Sequence, residues 1–146
     1  MNNKSVCFFG HRYEWKNKGV EKPLLQVIED LVKKGYDTFY YGDRGYFDKI
    51  SLAIVKRIRK DYPDLKIYKV LTNYSPHSAD MSINQFETSI LPELEQYHYK
   101  QRLIKRNEWI IDNSDIVICH IVDTYRSGAY KAYLYAKKSN KRIILV

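Results

Sequence analysis

The chain has 146 residues, 45% of them hydrophobic and 29% charged. That balance excludes a disordered, collagenous or membrane-embedded chain, and the length suits one domain spanning residues 1–146 with a sizeable core. The formal charge of +8 favours an anionic partner through long-range steering and says nothing of the fold.

The first strand is read from Val6-Cys7-Phe8-Phe9-Gly10, a continuous apolar run ending in glycine. From Lys18 to Lys34 the apolar residues Val20, Leu24, Val27, Ile28 and Leu31 recur at helical spacing, and Gly35 supplies a stop. Thr38-Phe39-Tyr40-Tyr41 reads as strand two, ending at Gly42. Asp48 is then expected to cap a helix that turns Ile50, Ile54 and Ile58 inward and closes at Pro63.

Leu65 to Leu71 reads as strand three, near an edge of the sheet. Thr72 to Tyr99, punctuated by Pro76 and Pro92, is expected to be a long functional loop with a helical turn. From Lys100 to Asn113, Leu103 with Ile110 and Ile104 with Ile111 predict a helix with a buried face. Arg102, Arg106, Trp109 and Asn113 form a cationic and aromatic stripe on another side of it. Ile116 to Ile121 reads as strand four, covered on both faces. Ser127-Gly128 opens a last helix that packs through Ala129, Ala132, Tyr133 and Ala136, and Arg142 to Val146 is the final strand.

Strands alternating with helices through short connections call for right-handed crossovers. The fold expected is an α/β, Rossmann-like three-layer sandwich with a mainly parallel five-stranded sheet in the order 3-2-1-4-5. Crossovers then leave strands one and four in opposite directions, which places the ligand crevice beyond their carboxyl ends. Gly10-His11-Arg12 and Asp123-Thr124-Tyr125-Arg126-Ser127-Gly128 lead into it. Glycines that admit a backbone, a serine hydroxyl, arginines and helix N–H groups suit a phosphate. Gly42-Asp43-Arg44-Gly45 adds backbone N–H groups at the mouth, but the dinucleotide glycine pattern and the P-loop lysine are both missing.

The four histidines, His11, His77, His98 and His120, show no ligand spacing, so no metal is expected, and no cofactor is called for. Cys7 and Cys119 sit inside apolar strands and read as core residues. No apolar run reaches the length of a bilayer, and Met1-Asn2-Asn3-Lys4 leads into the first strand rather than a signal peptide, so a cytoplasmic protein without a membrane partner is expected. Fourteen tyrosines and many lysines are scattered instead of gathered into one nucleic-acid module. An uncovered apolar helix face would make a homo-oligomer reasonable.

Three segments carry a family resemblance: Cys7-Phe8-Phe9-Gly10-His11-Arg12, Tyr41-Gly42-Asp43-Arg44-Gly45-Tyr46-Phe47-Asp48, and Arg106-Asn107-Glu108-Trp109-Ile110-Ile111-Asp112. Together they resemble the SLOG superfamily, which unites DprA with the LOG phosphoribohydrolases, and the likeness is to its small stand-alone members. The resemblance implies a Rossmann-like fold that binds a nucleotide, with Gly10, His11 and Arg12 in one loop and Arg106 and Asn107 facing the same pocket. LOG enzymes carry a glycine-rich motif after the fourth strand and a glutamate beyond it. Here that stretch is Tyr125-Arg126-Ser127-Gly128-Ala129, and Ala132 stands where the glutamate would be. Glu108, two positions from Arg106 on one helix, is expected to point away from the Arg106 face.

The leading expectation is therefore a nucleotide- or nucleoside-phosphate-binding, sensing protein, with Gly10, His11, Arg12, Gly42, Asp43, Arg106, Asn107, Ser127 and Gly128 around the ligand and no catalytic residue assigned. The alternatives are an N-glycosidic hydrolase of nucleoside monophosphates and DprA-like binding of single-stranded nucleic acid.

Overall fold

The computed structural model describes residues 4–42, 45–72, 88–90, 92–94, 96–122 and 127–146. Its strands are β1 (Ser5–Phe9), β2 (Thr38–Tyr41), β3 (Lys66–Val70), β4 (Thr88–Ile90), β5 (Ile116–Cys119) and β6 (Arg142–Leu145). Its helices are α1 (Glu21–Lys33), α2 (Tyr46–Arg59), α3 (Tyr99–Asp112) and α4 (Gly128–Lys138), with a 3-10 turn over Glu14–Asn17. The strands form one parallel sheet in the order β4-β3-β2-β1-β5-β6. The five expected strands lie in the expected order, so the chain has the Rossmann-like three-layer arrangement.

The sixth strand corrects the reading of 72–99 as a loop with a helical turn. β4 pairs with β3 from Tyr68↔Thr88 to Val70↔Ile90 and takes the edge position. Three residues are too few to display a period-two pattern, so only pairing with β3 defines the strand. Residues 73–87 lie outside the described residues.

Every residue of β1 and β5 is buried, which is why both read as unbroken apolar runs. Alternate β1 side chains serve the two faces. Val6 and Phe8 join α1 and α2 through Leu24, Ile28, Ile54 and Val55, with Phe8 stacked 4.8 Å from Tyr41. Cys7 and Phe9 join α3 and α4 through Ile110, Ile111, Ala132 and Ala136. The alanines of α4 let that helix lie close to the sheet, as expected.

Two helix readings change. Asp48 is not the cap of α2: the helix begins at Tyr46 behind Gly45, whose φ of 106° suits glycine, and no side chain caps it. Instead Tyr46 N–H donates to the Arg12 carbonyl (2.9 Å) and Phe47 N–H to the His11 carbonyl (3.3 Å), so the loop after β1 serves as the cap. In α3, Ile110 and Ile111 are buried, but Leu103 is only half-buried and Ile104 is 47% exposed. The apolar face of α3 therefore meets the core in its second half alone.

Candidate functional site

The carboxyl end of β1 is tightly packed. A Cβ on Gly10 would lie 2.1 Å from Phe47 Cγ, so this glycine makes room for the first turn of α2. The next residue, His11, is buried, and its Nε2 accepts a 2.8 Å hydrogen bond from the Val122 N–H. His11 thereby ties the loop after β1 to the loop after β5. His120, expected inside strand four, falls just beyond β5. Its ring nitrogens lie 2.8 Å from the Val146 carbonyl and 3.1 Å from the Lys16 carbonyl.

Arg12 is exposed and lines a cavity of about 410 Å³ between α3 and α4. On α3 its lining includes Leu103, Ile104, Arg106, Asn107 and Glu108; on α4 it includes Gly128, Lys131, Ala132 and Tyr135. The cavity runs between the two helices, and Arg12 joins its lining from the loop that follows β1.

Arg106 is only 6% exposed. A buried guanidinium needs acceptors, and Nε and Nη2 both donate to Asn107 Oδ1, at 3.3 and 3.2 Å. The guanidinium rests against Gly42 at the end of β2, where a Cβ would approach Nη2 to 3.1 Å. At the opposite wall, Ser127 is the N-cap of α4 and its Oγ accepts from the Tyr130 N–H at 3.0 Å. Gly128 has open space where a side chain would be.

The structure thus brings Arg12, Arg106, Asn107 and Gly128 to one cavity, with Gly42 under the guanidinium and Ser127 capping the adjoining helix. Gly10 and His11 act behind it as packing and tethering residues. Asp43 and Asp123 to Arg126 lie outside the described residues.

Glu108 is placed differently from expectation: it lines the same cavity as Arg106. The stripe facing α4 comprises Ile104, Asn107, Glu108 and Ile111, and Arg106 joins it by the length of its side chain. The supposed cationic and aromatic stripe dissolves into separate tasks. Arg102 Nε donates to the Tyr97 carbonyl (3.1 Å), Trp109 packs edge-on against Tyr40 (5.8 Å), and Asn113 Nδ2 donates back to the Trp109 carbonyl (2.8 Å).

Lys131 and Tyr135, one turn apart on α4, are cavity residues that the sequence reading missed. Their i, i+4 spacing beside the Ala132–Ala136 core stripe was the available signal. The Tyr135 hydroxyl donates to Asp112 Oδ1 (2.9 Å), and burial together with this bond raises its pKa.

A second surface was also missed. Tyr13 and Trp15 are 55% and 64% exposed, near-parallel at 17° with centroids 6.5 Å apart, and Lys16 Nζ lies 5.1 Å from the Trp15 ring centroid. Trp15, Lys16, Lys18 and Val122 border a shallow groove of about 450 Å³. Buried Asn17 holds the turn, donating from Nδ2 to the carbonyls of His11 (2.9 Å) and Tyr13 (2.7 Å).

Cys7 and Cys119 are buried free thiols, as expected of core residues, and burial pushes both pKa values up, that of Cys119 to about 12. Among the described residues no three His, Cys, Asp or Glu side chains are grouped as metal ligands, and no helix is long and apolar enough to cross a membrane.

No protein-family model matches the sequence, and no curated protein matches it. The fold is similar to the X-ray structure of TM1055, a structural genomics target. That likeness has a TM-score of 0.61 and 17% identity over 96% of this chain and 72% of the other. A weaker likeness, with a TM-score of 0.35 and 17% identity over 78% of this chain and 64% of the other, is to the RcsB response regulator of Salmonella typhimurium. At this identity the TM1055 likeness establishes a Rossmann-like fold and no ligand or activity.

Proposed function

We propose that the cavity between α3 and α4 binds a nucleotide or nucleoside phosphate, as the SLOG-like segments imply. The observation that carries this reading is the joining of three cations, Arg12, Arg106 and Lys131, to an apolar wall of Leu103, Ile104, Ile111 and Ala132 in one cavity. The cations and the start of α4 suit the phosphate, and the wall suits the sugar and base. Binding is favoured over N-glycosidic hydrolysis because Ala132 stands on α4 at the position of the LOG glutamate, and the single carboxylate among the described lining residues, Glu108, comes from α3 instead.

The test is a thermal-shift and calorimetric screen with nucleoside mono-, di- and triphosphates, cyclic dinucleotides, ADP-ribose and inorganic phosphate. Arg12→Ala and Arg106→Ala should each weaken nucleotide binding by about 1.5–3 kcal/mol, the worth of a charge-assisted hydrogen bond. Unchanged affinity in both variants would remove the assignment.

The exposed Tyr13–Trp15 pair favours a second reading, single-stranded nucleic-acid binding at a separate surface. Stacked rings flanked by Lys16 and Lys18 match what a strand asks of a protein: a face for a base and cations for the backbone. A labelled oligonucleotide should bind with affinity that falls as salt rises, and Trp15→Ala should weaken it by about 1–3 kcal/mol. No binding at low salt would end this reading.

A further inference from the structure

The polar lining of the α3–α4 cavity is lopsided. Arg12, Arg106 and Lys131 are donors alone, and Asn107 has its oxygen occupied by Arg106. The Tyr135 hydroxyl gives its proton to Asp112. Among the described lining residues, Glu108 is the sole carboxylate. It lies one helical turn along α3 from Ile104, beside the apolar wall.

This carboxylate is held without being consumed. Lys105 approaches Oε1 alone, at 3.3 Å, and the pair is partly exposed, with side-chain exposures of 38% and 26%. Such a contact is worth little, and it leaves Oε2 and a second lone pair on Oε1 to accept from a ligand. A phosphate lying among Arg12, Lys131 and the start of α4 would share one cavity with Glu108, which leaves the carboxylate available to the rest of a nucleotide.

We infer that Glu108 is the specificity-determining residue for the base, and that the base is guanine; this rests on the nucleotide reading above. Guanine presents N1–H and the N2 amine side by side, two donors that match the two oxygens of a carboxylate. Adenine offers its N6 amine beside the N1 lone pair, and cytosine its N4 amine beside the N3 lone pair, so one carboxylate oxygen would meet a lone pair. Uracil sets N3–H between two carbonyl oxygens. A site built for paired donors rejects bases that leave its acceptors unmatched.

Calorimetry with GMP, IMP, AMP, CMP and UMP on the wild-type chain and on Glu108→Gln tests the assignment. Wild-type protein should bind GMP at least about 10-fold more tightly than AMP, with IMP, which keeps N1–H and lacks the amine, between them. Glu108→Gln, which replaces one acceptor by a donor at constant shape, should bring the GMP-to-AMP ratio close to 1, with a melting curve to confirm that it folds. Equal or tighter binding of AMP by the wild type, or a guanine preference retained in Glu108→Gln, overturns this inference and leaves the nucleotide reading standing. Absence of binding by every mononucleotide overturns this inference, and absence of any response in the wider nucleotide screen overturns both.

Discussion

The guanidinium of Arg106 occupies the space that a side chain on Gly42 would claim: a Cβ there would lie 3.1 Å from Nη2, 3.2 Å from Cζ and 3.4 Å from Nη1. The end of β2 is thus shaped to seat a cation delivered from α3. Gly42→Ala should displace the guanidinium by a few tenths of an ångström without straining a left-handed backbone, because φ at Gly42 is not positive. The expected result is a split between two measurements. Stability should stay level or rise by about 0.5 kcal/mol through the less flexible unfolded chain, while nucleotide affinity falls by about 1 kcal/mol. Loss of both together would mean that Gly42 serves packing and not the site.

Gly10 answers to a different neighbour. Its missing side chain admits Phe47, whose ring atoms and Cβ would lie between 2.1 and 2.6 Å from a Cβ at Gly10. Gly10→Ala should therefore cost roughly 3 kcal/mol in urea unfolding, the upper range for overpacking. Phe47→Ala removes the Cγ and Cδ2 atoms that a Cβ at Gly10 would strike, so Gly10→Ala should cost clearly less in a Phe47→Ala background than in the wild type. If the double variant is as unstable as the sum of the single ones, the clash with Phe47 is not the cause.

Much of this architecture was legible in the sequence, for physical reasons that vary by element. β1 and β5 announced themselves because both of their faces are covered, and the crossovers then gave the order of the sheet. β4 was hidden by its shortness. The start of α2 was hidden because its first N–H groups are satisfied by carbonyls of His11 and Arg12, some 35 residues earlier in the chain, and not by a local cap. At the site, Arg12, Arg106, Asn107 and Gly128 could be named from motif and position. Glu108, Lys131 and Tyr135 could not, because their common destination exists only once α3 lies beside α4. Trp15 escaped notice because an aromatic residue reads by default as core, and the hydrogen bonds of Asn17 and His120 that hold that loop form only in the folded chain.

Cys7 and Cys119 make a pH prediction with a definite sign. An unperturbed thiol titrates near 9.0, and burial raises both in the folded chain, that of Cys119 to about 12. Below pH 9.0 the thiols are protonated in both states and their contribution to stability is fully present. As pH rises toward about 12 the unfolded chain loses protons that the native chain retains, so stability declines. Urea midpoints should fall from pH 9 to 11, less steeply in Cys119→Ala, and a thiol reagent at pH 8 should label both residues only after unfolding. Rapid labelling of the native protein would contradict the burial on which this rests.

Asn17 should hold the Tyr13–Trp15 surface through hydrogen-bond donation and not through shape. Its Nδ2 donates to the carbonyls of His11 and Tyr13, and each of these carbonyls keeps a second donor, Phe47 N–H and Lys16 N–H. Asn17→Ala should then cost about 1–2 kcal/mol. Asn17→Asp is nearly isosteric yet replaces the donor with a carboxylate oxygen aimed at two carbonyls, so at pH 7 it should be the more damaging change. A buried aspartate facing acceptors has a raised pKa, and its protonated form regains one donor. The deficit of Asn17→Asp relative to wild type should therefore be smallest below the unfolded aspartate pKa of about 3.9 and grow as pH rises. If Asn17→Asp is as stable as wild type at pH 7, or its deficit does not change with pH, the turn is held by packing alone. Oligonucleotide affinity should then be unaffected by either variant.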